Sequence, residues 1–231
     1  SHKQVLQVAA VIGGRFHDAM VARVIEAPVE EASEALEALV GRGLLARTGA
    51  REYGFAHGLI ADVVTGTVPF EAKKELHRAI GEAFEAVYPD HLDELAERLA
   101  HHYREGGRRE RAIDFLVRAA DRLESEQSLG GAIGYLRRAL EMLLQGAQPD
   151  RDRLLGLYRR VVQLCFRARE LEQGLEVVEH ALEMAEGLGR DEHVARFSLY
   201  KGQLCAFMNR FSEAQQWFER ARQVARSVGN P

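Results

Sequence analysis

Cysteine, proline and tryptophan are all scarce in this chain. Its 231 residues hold two cysteines, five prolines and one tryptophan. Two thiols exclude a disulfide-stapled scaffold. Cys165 and Cys205 have no Cys/His cluster at metal-ligand spacing around them, so no metal site is expected. They are read as buried packing thiols in a reducing cytoplasm. Five prolines leave long uninterrupted stretches, which favours helices. No apolar run approaches the ~18 residues that a membrane span needs, and no signal-peptide pattern opens the chain. The formal net charge is −4 at pH 7, so the chain as a whole has no pull toward nucleic acid. A GxxxxGK[ST] phosphate loop is missing, which removes the usual cradle for ATP phosphates. Neither a Ser-His-Asp nor a Cys-His arrangement is readable, and this chain by itself is expected to be non-catalytic.

What is present is an internal repeat. Four segments read alike: Ala112 to Ala119 (AIDFLVRA), Ala132 to Ala139 (AIGYLRRA), Gly174 to Ala181 (GLEVVEHA) and Ala214 to Ala221 (AQQWFERA). Each has a small residue, a bulky apolar residue four positions later, and an alanine three beyond that. The bulky positions are Leu116, Leu136, Val178 and Phe218, preceded by Phe115, Tyr135, Val177 and Trp217. Small residues let a neighbouring helix approach closely, and the bulky pair fills the space between helices. A repeat of this kind fixes the fold class. It resembles the second helix of a tetratricopeptide (TPR) repeat, a fold that binds proteins or peptides. The step from Ala112 to Ala132 is much shorter than the ~34-residue TPR period, and the later steps are longer. The array is therefore divergent, with helices that stack pairwise.

The first part of the chain differs. Lys3 to Ile12, His17 to Glu26 and Val29 to Val40 read as helices, and Pro28 with acidic residues suits the start of the third. Leu44 to Arg47 and Glu52 to Ala56 read as short strands around Gly49-Ala50. Three helices and a hairpin form a winged-helix pattern. From Leu59 to Val64 onward everything reads as helix: Phe70 to Val87, Leu92 to Arg104, Arg109 to Glu124, Gly131 to Leu144, Arg153 to Arg167, Leu171 to Glu186, His193 to Met208 and Ser212 to Val228. The fold class is mainly all-α: a winged-helix domain over residues 1–66, a linking helix over 67–91, and TPR-like repeats over 92–231, forming an α-α superhelix. The stripe Leu76, Ile80, Phe84 is expected to pack on the first repeat helices. No polar capping helix follows the last repeat, so the chain is expected to be a segment of a longer protein.

The stretch from Tyr53 to His77, YGFAHGLIADVVTGTVPFEAKKELH, carries a more specific signal. So do AAVIGGRF (Ala9 to Phe16), EALEALVGRGLL (Glu34 to Leu45) and LAHHYREGGRRERAIDFLVRAA (Leu99 to Ala120). Together these resemble the winged-helix and TPR part of bacterial STAND-class signal-transducing ATPases. That class includes LuxR-type regulators, serine/threonine kinases and adenylate cyclases. The resemblance implies a nucleotide-binding domain elsewhere in the parent protein, with ATP or ADP as its cofactor and none in this chain. It also implies that His57, at the strand-to-helix junction, senses the ADP phosphate; the plainer reading has it cap the helix or bond a backbone carbonyl within the domain. Carried onto the last two repeats, the resemblance to TPR proteins places Arg159, Gln163, Arg167, Arg196, Gln203 and Phe207 along a concave groove. That basic and polar set suits an acidic or carboxylate-bearing protein or peptide; the plainer reading leaves these side chains facing water.

DNA recognition through the winged helix is the competing function. It would need basic or amide side chains on the third helix. That helix instead holds Glu30, Glu31, Glu34 and Glu37, with nothing basic before Arg42. A phosphate backbone would repel it. An enzyme with its own ATPase activity is the other alternative, and the missing phosphate loop counts against it. His101 and His102 are adjacent and point to different sides of a helix, while His77 and His91 have no partner at ligand spacing.

Overall fold

The computed structural model describes residues 1–227. Two compact units divide it, Ser1–Phe115 and Leu116 onward. Unit 1 runs α1 (His2–Ile12), β1 (Phe16–His17), α2 (Asp18–Ile25), α3 (Val29–Gly41), β2 (Leu45–Gly49), β3 (Glu52–Phe55), α4 (Gly58–Gly66), α5 (Phe70–Val87), a 3-10 turn (Pro89–His91) and α6 (Ala96–Glu105). The helix α7 (Arg109–Ser125) contains the division. Unit 2 continues with α8 (Leu129–Leu144), α9 (Arg151–Ala168), α10 (Leu171–Gly187), α11 (Asp191–Phe207) and α12 (Phe211–Ser227). The expected end of the last helix at Val228 lies outside the described residues.

In unit 1 the strands form a three-stranded antiparallel sheet in the order β1-β3-β2. The hairpin pairs Leu45 with Phe55 and Arg47 with Tyr53, and Phe16 of β1 pairs with Tyr53 from the other side. Gly43, at φ 71°, makes the tight exit from α3 into β2. Val8, Met20, Leu36, Leu39 and Leu45 are sealed from solvent and form the core. The strand at Phe16–His17 corrects the expected helix from His17. A two-residue strand has no periodicity of its own, and only pairing with β3 creates it.

The helix α5 packs on α1, α2 and α6, all within unit 1. Its buried face is His77, Ile80, Gly81 and Phe84, so Leu76 of the expected stripe lies half-buried beside it. A Cβ on Gly81 would stand 2.9 Å from the Tyr103 ring, so glycine permits the close crossing with α6. The expected helix from Leu92 begins at Ala96 instead. Pro89 opens a 3-10 turn, and residues 92–95 continue as hydrogen-bonded turns, with the Leu95 amide donating to the His91 carbonyl at 3.1 Å.

In unit 2 each helix packs on the next from α8 to α12, and α9 also touches α11. That is the arrangement of TPR-like helical repeats. The repeated motif explains the packing. Ala132, Leu136 and Ala139 are buried, as are Gly174, Val178 and Ala181. In the fourth copy Ala214 and Ala221 are buried but Phe218 is 38% exposed. The turns after α9 and α11 repeat as well. Arg169 and Asn209 both adopt the left-handed conformation, at φ 63° and 60°. The following amides then donate to the carbonyls of Cys165 (2.9 Å) and Cys205 (2.8 Å). Both cysteines are thus buried free thiols at equivalent repeat positions, and burial pushes the Cys165 thiol up to about 11.

Candidate protein-interaction groove

The groove with the strongest polar convergence lies in unit 2, with a volume of about 520 Å³. Its floor is α9. Arg159, Gln163 and Arg167 recur every fourth residue and so share one helix face, with Phe166 beside them. Tyr200 and Gln203 of α11 form the facing wall, and Glu124 near the end of α7 also lines the groove. The Gln163 amide donates to the Tyr200 hydroxyl at 2.9 Å, which ties floor to wall.

Charge within the groove is unevenly spent. Glu124 accepts from Arg160 at 2.9 Å and also from Arg167, while Arg160 is paired with Asp121 as well. The Arg160 hydrogen bond, aided by Arg167 and opposed by burial, holds the Glu124 carboxyl below the usual glutamate range. Arg159 is exposed and has no ion pair or hydrogen bond among the described residues.

Arg159, Gln163, Arg167 and Gln203 of the expected groove set come together here. Arg196 does not. It sits with Leu199, Phe218 and Arg222 in a separate depression between α11 and α12, and Glu192, one turn back on its own helix, holds it at 3.0 Å. Phe207 stands next to the groove rather than lining it. Its ring meets that of Phe166 edge-on at 4.6 Å, with the Arg169 guanidinium 5.3 Å above it. Glu124 comes from α7 and lies outside any pattern along α9 or α11, whereas Tyr200 stands at helical spacing with Arg196, Gln203 and Phe207, which is the sequence signal for it. The Arg159-Arg160 pair in sequence is the only local signal for Arg160.

Outside the groove, His57 occupies the position before α4, is exposed, and makes no side-chain capping bond. It stands at the N-cap position of α4, where its backbone carbonyl accepts from the Ile60 amide at 3.0 Å. The four glutamates of α3 sit as expected, and Glu37 accepts from both Arg47 and the Tyr53 hydroxyl, the latter at 2.7 Å. His77 and His102 correct the reading of isolated histidines. Both are buried, with their Nδ1 atoms 3.0 Å apart and the His101 ring packed against both. Burial, reinforced by neighbouring positive charge, pulls His77 down to about 4 and His102 to about 3. The two rings come from α5 and α6, 25 residues apart in sequence, so no local pattern could reveal this cluster.

The groove helices α9 and α11 pack on α10 and α12, which carry the repeated small-bulky-alanine motif, and one comparison bears directly on these pairs. Residues 153–227 match the tetratricopeptide repeat family model, TPR_12. This TPR region includes α9 and α11, the helices that build the groove. No curated protein matches the chain. Among solved structures, the nearly identical TPR-like repeats of a putative kinesin light chain from Podosopora anserina are similar, at 14% identity and a TM-score of 0.50, over 86% of this chain and 88% of that one. A point variant of those repeats gives 13% identity and a TM-score of 0.50 over 99% and 98%. A STAND protein with a tetratricopeptide repeat sensor from Pyrococcus horikoshii is 15% identical, with a TM-score of 0.42, over 99% of this chain and 44% of that one. At that score no argument rests on the last likeness. At these identities the first two show the fold alone. TPR repeats are a protein-interaction and scaffold fold, and the groove is where such a fold presents its side chains. No helix of the described residues is long and apolar enough to cross a membrane.

Proposed function

We propose that this chain is a non-catalytic regulatory and protein-interaction segment of a larger bacterial signal-transduction ATPase or kinase, and that its TPR groove holds an acidic or carboxylate-bearing segment of a partner. The observation that carries the reading is Arg159, an unpaired cation on the groove floor beside Gln163 and Gln203. An exposed guanidinium with no internal partner is free to take a planar anion with two parallel hydrogen bonds. The test is selection of random dodecapeptides on the purified chain. Selected peptides should be rich in aspartate and glutamate, and the double variant Arg159→Glu/Gln203→Glu should lose them. Enrichment of basic peptides, or of none, would defeat the reading.

In unit 1 the order helix, strand, two helices and hairpin supports a winged-helix unit, and acidic α3 turns that unit away from DNA. Arg47, the cation a DNA-binding reading would lean on, is neutralised by Glu37. Duplex DNA should therefore give no mobility shift at low salt. The sequence carries no GxxxxGK[ST] phosphate loop, so this reading assigns the nucleotide to a neighbouring domain of the parent protein. In the parent protein, His57 would add one imidazole contact to an ADP phosphate held by the neighbouring nucleotide-binding domain. His57→Ala in the full-length protein should weaken ADP retention and raise basal output; unchanged values would leave His57 without that role.

A further inference from the structure

Three arginines approach the groove, yet they are not equivalent. Arg160 and Arg167 are already engaged by Glu124, and Arg160 additionally by Asp121. A ligand carboxylate that turned to either would meet a guanidinium whose charge is already offset by an internal carboxylate, so it would gain less net interaction. Arg159 has no such competitor. At the other end of the same helix face, Phe166 and Phe207 form an edge-on aromatic pair, and Phe207 remains 48% exposed. Arg169 above its ring closes one side of this shelf. The groove therefore has a polar anchor at one end and an apolar step at the other.

We infer that Arg159, and neither Arg160 nor Arg167, anchors a carboxylate of the bound segment, that a bulky apolar residue three or four positions away docks on Phe166 and Phe207, and that Glu124 acts as an internal competitor limiting the groove to a single carboxylate. This rests on the groove reading above and narrows it. The spacing follows from helix geometry. Seven residues separate Arg159 from Phe166 on α9, a rise of roughly 10 Å at ~1.5 Å per residue. An extended peptide covers that in about three residues at ~3.3 Å each. Charge complementarity selects the occupant: the free cation calls for an acid, and the aromatic shelf calls for an apolar side chain beside it.

The experiment uses dodecapeptides selected on the whole chain, with binding measured by fluorescence polarisation against single variants. All altered side chains are solvent-accessible, and circular dichroism confirms that each variant is folded. Arg159→Gln should weaken binding about tenfold, the loss of one charge-assisted pair. Arg167→Gln should stay within about twofold. Phe207→Ala should weaken only those peptides that carry the apolar residue three or four positions from the acid. Glu124→Gln frees Arg167 and should tighten peptides with two carboxylates severalfold while leaving single-acid peptides unchanged. If Arg167→Gln costs as much as Arg159→Gln, or if selected peptides show no acid-to-apolar spacing, the anchor assignment is wrong while the groove reading stands. If no peptide is selected, or if binding ignores every groove variant, the groove reading falls and the anchor falls with it.

Discussion

The two units of this chain handle polar groups in opposite ways. Unit 1 turns them inward. Asp18 is buried, accepts from the Ala19 amide at 2.8 Å, from Arg51 Nε at 2.6 Å and from Ser33, and ties α2 to α3 and the hairpin. His77 and His102 are buried in contact with each other, and the Ile12 backbone at the end of α1 takes a hydrogen bond from His102. Unit 2 buries almost none. Its core is Leu, Val and Ala from the repeated motif, and its arginines and glutamates pair at the surface or line the groove. A unit that spends polar chemistry on its own closure has a sharply defined shape but few free groups. A unit closed by apolar packing keeps its polar side chains available to a partner.

The largest break in this comparison should come from a backbone contact in unit 1. A Cβ on Gly106 would lie 2.9 Å from the Arg78 amide nitrogen and 3.1 Å from both the Arg78 Cα and the His102 carbonyl oxygen. Backbone cannot swing aside, so Gly106→Ala should cost about 1–3 kcal/mol in urea unfolding. In unit 2 the matching test is Gly202→Ala. There the nearest atoms, at 2.6 Å, belong to the partly exposed Phe218 ring, which is able to turn, and the nearest backbone atom, the Ala214 carbonyl oxygen, is farther off at 3.2 Å. A smaller loss is expected. Equal losses would show that unit 2 closes as rigidly as unit 1.

Next in size is the inward carboxylate. Burial by itself would raise Asp18, but the hydrogen bonds from Ser33, Arg51 and Ala19 outweigh it and hold the carboxyl below its ordinary value. Asp18→Asn keeps the shape and removes the charge, for an expected loss of about 1–2 kcal/mol, discounted because Arg51 is itself largely exposed. A loss below experimental error would mean that the shape of the side chain, and not its charge, joins α2 to the hairpin.

Acid should then separate the units. His77 and His102 are neutral in the folded unit down to about 4 and about 3, whereas in the unfolded chain imidazoles protonate near their ordinary value of 6.5. The unfolded state therefore binds more protons below pH 6.5, and stability falls as pH drops from there toward 4. Lys73, Arg98 and His101 face the pair and oppose its protonation, while Glu105 partly favours it. The Glu124 clamp of unit 2 is lost only when that carboxylate protonates, below the ordinary glutamate value of 4.5. Between about pH 6.5 and 5, histidine C2-proton shifts in unit 1 should report local loosening before the fluorescence of Trp217, in unit 2, responds. Simultaneous change would contradict the contrast between the units.

The smallest effect belongs to the groove itself. Arg159→Gln should alter stability by less than about 0.5 kcal/mol, since an exposed side chain with no partner supports nothing in the fold. A larger loss in thermal melting would assign Arg159 a structural duty and remove the reason to regard it as free.

Local periodicity determined a good deal of this protein. The small-bulky-alanine motif placed the helices of unit 2, because residues at helical spacing share a face whatever lies opposite. The resemblance to TPR repeats singled out Arg159, Gln163 and Arg167, whose spacing puts them on one face. Proline and glycine marked most helix ends, as Pro28 does for α3 and Gly43 for its exit. What tertiary structure decided were the meetings between distant elements. The β1 strand exists only through its pairing with β3. The burial of His77 depends on α6 crossing α5 at Gly81. The engagement of Arg160 and Arg167 depends on Glu124 arriving from α7. Helix spacing is written by consecutive residues and needs no partner. The pairing of a charge depends on which side chains a second helix brings within a few ångströms, and no window along the chain contains both.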